Sequence, residues 1–201
     1  VWHHKYQLDD NVFFTSDLHY NHTNIVRGIS NWTDKSGCRN FDWLEEMNTA
    51  IDSSIFSLPK GAHLWILGDL LFSSKDKLPG LIGKWKTHLE KIYIIWGNHD
   101  GGIYKYKDLF DWARHYNEIV VGKRLWCLSH YPSMSWNDMG RGSYMISGHT
   151  HGSCPRFGKS IDMDWGIHKK PLSVKEIDEI LQKKNVEGVC HHVSSGDGLE
   201  R

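Results

Sequence analysis

Five times along this chain a short apolar run stops at residues able to bind a metal ion. Val12-Phe13-Phe14-Thr15 leads to Asp17 and His19, and His63 to Leu67 leads to Gly68-Asp69. Ile92 to Trp96 leads to Gly97-Asn98-His99-Asp100. Leu125 to Ser129 leads to His130, and Tyr144 to Ser147 leads to Gly148-His149-Thr150-His151. Short runs rich in aromatic and β-branched residues, bounded by turn residues, read as strands. In open α/β sheets ligands bind beyond the carboxyl ends of strands, so these five loops are expected to converge.

Helical stretches separate the early runs. Asp42 is a good N-cap, and Glu45 three residues on completes a capping-box pattern, predicting a helix to about Ser57 before Pro59-Lys60-Gly61. A second helix is expected from about Lys77 to His88, and a third opens at the capping box Ser173-Val174-Lys175-Glu176 and runs to about Lys184. Gly122-Lys123-Arg124 between two apolar runs predicts a hairpin, and Ser160 to Asp164 reads as a further strand. Early alternation of strand and helix followed by hairpins implies stacked mixed sheets covered by helices. With no repeat or linker, residues 1–186 read as one domain. Residues 187–201 form a polar tail without periodicity, expected to be loosely ordered.

The candidate ligands have a chemical logic. Asp17 and His19 stand two apart, as do His149 and His151, so extended backbone would point each pair to one face. Glycines at 68, 97 and 148 permit tight turns and close backbone approach. Two carboxylates, one amide oxygen and four imidazoles suit Mn, Fe, Zn, Ni or Co better than Ca. Seven ligands exceed the needs of one ion. A shared carboxylate would hold two ions about 3.5–4 Å apart, a spacing that clamps the attacking and leaving oxygens of a phosphoryl centre.

These blocks, in this order, resemble the signature of the calcineurin-like metallophosphoesterases. The flanks Asp17-Leu18-His19-Tyr20-Asn21-His22, Ser129-His130-Tyr131-Pro132 and Asp164 before Pro171-Leu172-Ser173 resemble the small, capless members found in bacteria and phages. The resemblance implies a four-layer α/β/β/α sandwich. It implies two divalent transition-metal ions, with manganese the leading choice, one held by Asp17, His19, Asp69 and His151. The other would be held by Asp69, Asn98, His130 and His149, with Asp69 and a hydroxide shared. The hydroxide would attack phosphorus, His99 would protonate or hydrogen-bond the leaving oxygen, and Asp100 would orient His99. Only 18 residues separate His130 from His149, and no block of capping size appears, so an open site is implied.

Other residues are weighed against plainer roles. His22 is expected to support the site or contact phosphate, and Arg27 and Arg141 are candidate phosphate contacts, although surface positions suit both arginines. Tyr131 and Trp136 are candidates for stacking on an aromatic leaving group, against ordinary packing. Asp162 and Asp164 are candidates for buttressing a ligand histidine, and structural hydrogen bonding suits them equally. The segment Ile29 to Phe41, with Trp32, Lys35 and Arg39, is expected to wall the cleft. Cys190-His191-His192 is a candidate for adventitious metal binding, although a disordered tail suits it better.

Lys plus Arg balance Asp plus Glu at 24 each, which argues against a nucleic-acid polymer as partner. The resemblance implies a small phosphate ester, such as a nucleotide, as substrate. Four cysteines without a CxxC pair, no apolar run long enough to span a bilayer and no apolar leader predict a cytoplasmic protein without a membrane partner. The expected activity is a phosphodiesterase or phosphatase. A protein phosphatase, a nuclease and a non-catalytic scaffold of the same fold are the alternatives. Retention of His99 and every ligand argues against the scaffold, and the chain is short for the repair-type nucleases.

Overall fold

The computed structural model describes residues 4–187, so Val1-Trp2-His3 and the Cys190-His191-His192 cluster lie outside the described residues, as does the expected tail apart from its first residue. Two five-stranded sheets stack face to face. One carries β2 (Val12–Thr15), β3 (His63–Ile66), β4 (Lys91–Ile95), β5 (Trp112–Arg114) and β10 (Leu172–Ser173), in the order β10-β2-β3-β4-β5. The other carries β1 (Lys5–Tyr6), β6 (Tyr116–Val121), β7 (Arg124–Ser129), β8 (Tyr144–Ser147) and β9 (Ser160–Asp162), in the order β1-β6-β7-β8-β9.

Period-two alternation explains how the sheets stack. In β3, Leu64 and Ile66 face the core under the helices while Trp65 faces the other sheet. In β4, Ile92 and Ile94 face the helices, and Tyr93 and Ile95 face inward. Across the interface, Trp126 and Leu128 of β7 and Ile146 of β8 complete the central core. Both faces of β3 and β4 are covered, which is why they read as unbroken apolar runs.

Helices α1 (Leu44–Phe56) and α2 (Leu78–Lys86) cover one outer face through Met47, Ile51, Ile55, Leu81, Ile82 and Trp85. The first helix starts slightly later than its capping pattern suggests. Glu46, not Glu45, accepts from the N–H groups of Asp42 and Trp43. The other outer face has a thinner cover, where Trp136 and Met139 pack on Cys127 and Met145. Helix α3 (Trp165–His168) is one turn long. Helix α4 (Val174–Gln182) closes the edge of the sandwich, placing Val174, Ile177 and Leu181 in the central core. Its predicted capping box forms, Ser173 Oγ accepting from the Glu176 N–H while Glu176 accepts from the Ser173 N–H. No helix among the described residues is long and apolar enough to cross a membrane.

Strands β2, β3 and β4 are parallel neighbours, and so are β7 and β8 in the other sheet. Their carboxyl ends meet along one rim of the sandwich, where all five polar loops emerge.

Candidate metal centre

The rim gathers the seven candidate ligands. Asp17, His19 and His151 bring ligand atoms within 4.8 Å of one another, and Asp69, His130 and His149 form a second such group. Asp69, only 2% exposed, stands between them. Its Oδ2 lies 3.8 Å from His19 Nε2 and 3.5 Å from His130 Nε2. The amide oxygen of Asn98 lies 2.9 Å from His130 Nε2, joining the second group.

Backbone contacts leave one oxygen of each carboxylate free for the centre. Asp17 Oδ2 accepts the His149 N–H at 2.9 Å, which ties the two sheets together, and its Oδ1 has no hydrogen-bond partner. Asp69 Oδ1 accepts the His99 N–H at 2.9 Å, while Oδ2 faces the imidazoles. The histidines are sorted in the same way. His130 Nδ1 lies 2.8 Å from the Leu67 carbonyl, His151 Nδ1 pairs with Asp164, and His19 Nδ1 lies 3.2 Å from His22 Nδ1. When one ring nitrogen donates outward, the other keeps its lone pair for a metal.

The backbone differs from the extended form expected at the paired ligands. Asp17 (φ 51°), His19 (φ 47°), His149 (φ 72°) and His151 (φ 47°) are left-handed, as is Asp69 (φ 54°). Their side chains converge because the chain curls as each strand ends, and the pleat plays no part. Non-glycine residues held in this region cost about 1 kcal/mol or more each, and such strain gathers at functional sites. Close approach is built in as well. A side chain at Gly97 would land on the Asp69 carboxylate, and one at Gly148 on that of Asp17.

The empty-handed polar atoms fit a cation. Asp17 Oδ1 and His19 Nε2 are buried, unpartnered and 3.9 Å apart. Burial, then the negative charge of Asp164, pushes the Asp17 carboxyl up to about 7. Burial, with Arg39 nearby, holds the His19 imidazole well below its ordinary range, and burial followed by His130 lowers His149. Imidazoles of His19 and His149 disfavoured from taking a proton, beside an Asp17 oxygen without a hydrogen-bond partner, form a site that a divalent ion completes.

Not every expected role survives. Asp100 does not orient His99. It is fully buried, and its carboxylate accepts from the backbone N–H groups of Asp69 (2.9 Å), Leu70 (3.1 Å) and Gly97 (2.8 Å). It clamps the Asp69 loop to the Asn98 loop, and His99, 41% exposed at its side chain, points the other way into the open. Arg27 is exposed, since Ile25 and Val26 before it turn into the core, and it lines no cleft described at the rim. Arg141 sits at the far end of the sandwich, paired with Asp138 beside the β6–β7 turn. Because β8 runs parallel to β7, the chain leaving His130 must travel back to the start of the strand, carrying Arg141 away from the rim. The same return buries Trp136 in the outer cover, whereas Tyr131 stays at the rim with its ring 4.7 Å from that of His149.

His22 does reach the site, against His19, and burial pushes its imidazole down to about 4. Asp164 buttresses His151. Asp162 accepts from Thr150 Oγ1 at 2.7 Å and pairs with Arg156, steadying the loop that bears His149 and His151. Sequence reading assigned no such role to Arg39. Buried to 6% exposure, its guanidinium donates to the carbonyls of Leu18 (2.7 Å) and Asp17 and pairs with Asp164 at 3.4 Å. One cation thus joins the Asp17–His19 loop to the carboxylate that aims His151. We expect Asp164→Asn to weaken metal binding by about 10–100-fold, measured by competition against a chelator, with the fold intact by circular dichroism. Unchanged affinity would reduce Asp164 to a structural cap of α3.

The model of the calcineurin-like phosphoesterase domain matches residues 11–140. The chain belongs to the calcineurin-like phosphoesterase family. That family typically binds divalent metals, and membership makes this chain a metal-dependent phosphoester hydrolase in general class. The matched span carries five of the seven candidate ligands, and His149 and His151 follow it. No curated protein matches the sequence as a relative. Among solved structures, a protein of unknown function from Aquifex aeolicus superposes with a TM-score of 0.63 at 22% identity, over 84% of this chain and 98% of that one. That likeness shows a shared fold alone.

Proposed function

We propose that this phosphoesterase hydrolyses small phosphate esters, nucleotides among them, at a dinuclear metal site. Asp17, His19, Asp69 and His151 would hold one ion, and Asp69, Asn98, His130 and His149 the other. The observation that carries this reading is the position of Asp69 Oδ2, buried between two ligand groups and facing an imidazole of each. Mixed nitrogen and oxygen ligands favour Mn, Fe, Zn, Ni or Co, with manganese our first choice. Two divalent ions, when bound, supply positive charge to the phosphoryl oxygens and make a water acidic enough to react near neutral pH.

The protein's own residues do the rest. His99 Nε2 lies 3.9 Å from Asp69 Oδ2 on the exposed side of the site, placed to give a proton to the departing alcohol oxygen. In balance, the P–O ester bond breaks, a water oxygen bonds to phosphorus, and one water proton leaves with the alcohol. Asp100 keeps the Asp69 and Asn98 loops in register, and Arg39 with Asp164 keeps His151 aimed. The free thiols Cys38, Cys127 and Cys154 suit a cytoplasmic setting, and balanced charge suits small substrates over nucleic-acid polymers.

The test is metal removal and return. Chelator-stripped protein is expected to lose hydrolysis of diesters and monoesters alike, and to regain it with Mn, Zn, Ni or Co while binding close to two ions per chain. Full turnover by metal-free protein would sink the proposal, and saturation at one ion would remove its dinuclear part.

A further inference from the structure

Beside the candidate ligands lies a cleft of about 680 Å³, within the range usual for small-molecule sites. His19, His99 and His151 form its inner end, so it is continuous with the place where phosphate would react. Its outer walls have a different chemistry. Ile25, Trp32 and Phe72 line it, and among the described residues no lysine or arginine does. Trp32 is 40% exposed and Phe72 38%, large apolar rings left open to water at a functional rim.

The aromatic walls are organised. Phe72 stacks on His22 with centroids 3.7 Å apart and planes at 14°, and it meets His99 edge-on at 4.9 Å. Trp32 meets the same His22 edge-on, 5.9 Å away. The main chain at both residues is anchored, with Phe72 N–H donating to the Tyr20 carbonyl at 2.8 Å and Trp32 N–H donating to the Ser30 hydroxyl at 3.2 Å. Phe72 and His99 also separate this cleft from a second recess, of about 490 Å³, which contains Lys75. A cation is therefore available on one side of His99, and aromatic rings on the other.

We propose that the Trp32–Phe72 cleft binds a planar, uncharged organic group esterified to the reacting phosphate, of the aryl or nucleoside class. This rests on the phosphoesterase reading and adds the substrate's other half. A planar ring stacks on aromatic side chains whatever its substituents, whereas an anionic chain would find no positive partner among these walls. The cleft has room for a nucleoside and none of the charge that a polyphosphate or acidic peptide needs.

The experiment compares two esters with the same kind of leaving oxygen, a nucleoside 5′-phosphate and glycerol 3-phosphate, or their methyl diesters if diesters are what the enzyme cleaves. Both expel a primary alkoxide, so a difference in kcat/KM reports the cleft rather than the chemistry. The metal-loaded wild type is expected to prefer the nucleoside ester by about ten-fold or more, the scale of one aromatic stacking contact. Trp32→Ala should remove most of that preference, and Trp32→Phe should keep it. A wild type without preference, or a preference that survives Trp32→Ala, overturns the proposal. A binding arm separates this failure from failure of the phosphoesterase reading. If neither ester is hydrolysed, calorimetry with nucleoside monophosphate against inorganic phosphate still decides the cleft. A ten-fold tighter nucleotide, lost in Trp32→Ala, supports it, and equal affinities refute it.

Discussion

Asp69→Asn is expected to abolish turnover and to strip bound metal more severely than any other single ligand change. The substitution keeps the size of the side chain and removes one negative charge from a position that is 2% exposed and faces both ligand groups. A unit charge about 4 Å from a cation, at an effective dielectric near 20, is worth ~4 kcal/mol, or about 10³-fold in affinity. Because Asp69 Oδ2 approaches both groups, that loss applies to each ion, whereas Asp17→Asn should weaken chiefly one. The discriminating measurement is metal content after dialysis at matched free metal, for wild type, Asp69→Asn and Asp17→Asn. A mutant of Asp69 that retains two ions and most of its activity would contradict the shared-ligand assignment. Loss of fold in Asp69→Asn and not in Asp17→Asn would be visible by circular dichroism and would shift the explanation to Asp69 as a structural residue, since its Oδ1 holds the His99 N–H.

The sequence carried much of this centre because the ligand loops begin where covered strands end. β2 and β8 appear where the apolar runs predict, and β3, β4 and β7 within a residue or so, since burial on both faces forces continuous apolar composition. Three strands were not legible. β1 and β10 have two residues each and exist through distant pairings, Lys5 with Val120 and Leu172 with Phe14. β5 adds three residues to the edge of the helix-covered sheet beside β4. Nothing local in such short segments signals a strand.

Within the site, the residues that gather at the rim were readable and their backbone was not. Asp and His in left-handed conformation leave no compositional trace, so the two-residue spacing suggested a pleat where the chain in fact curls. Adjacency also misled at Asp100. Next to His99 in sequence, it lies in the αR region (φ −87°, ψ −4°) and turns its carboxylate to buried amides. Arg39 was hidden for a different reason. Its partner Asp164 is 125 residues away, and no periodicity links residues that meet only in the folded chain.

His99→Ala separates chemistry from metal binding. The side chain is 41% exposed, and its Nε2 stands 3.9 Å from Asp69 Oδ2 on the open side of the site. Removing it is expected to leave metal content and folding nearly intact and to lower kcat by about 10²–10⁴, the usual cost of losing a general acid. The loss should follow the leaving group. An alkoxide departs as a strong base and needs a proton, whereas a nitrophenolate departs readily without one. The mutant should therefore be hurt far more on nucleoside or alkyl esters than on nitrophenyl esters. Asp100→Asn makes a useful contrast. Its carboxylate holds three backbone N–H groups and not the imidazole, so its damage should appear as lost stability and metal affinity and should not depend on the leaving group. The measurement is kcat for wild type and both variants on a poor and a good leaving group. Equal losses of His99→Ala on the two substrates would remove the proton donor and leave His99 as a hydrogen-bonding or positioning group. Loss of an ion in His99→Ala would place it among the ligands, because its Nε2 already lies as close to Asp69 as those of His19 and His130 to within half an ångström.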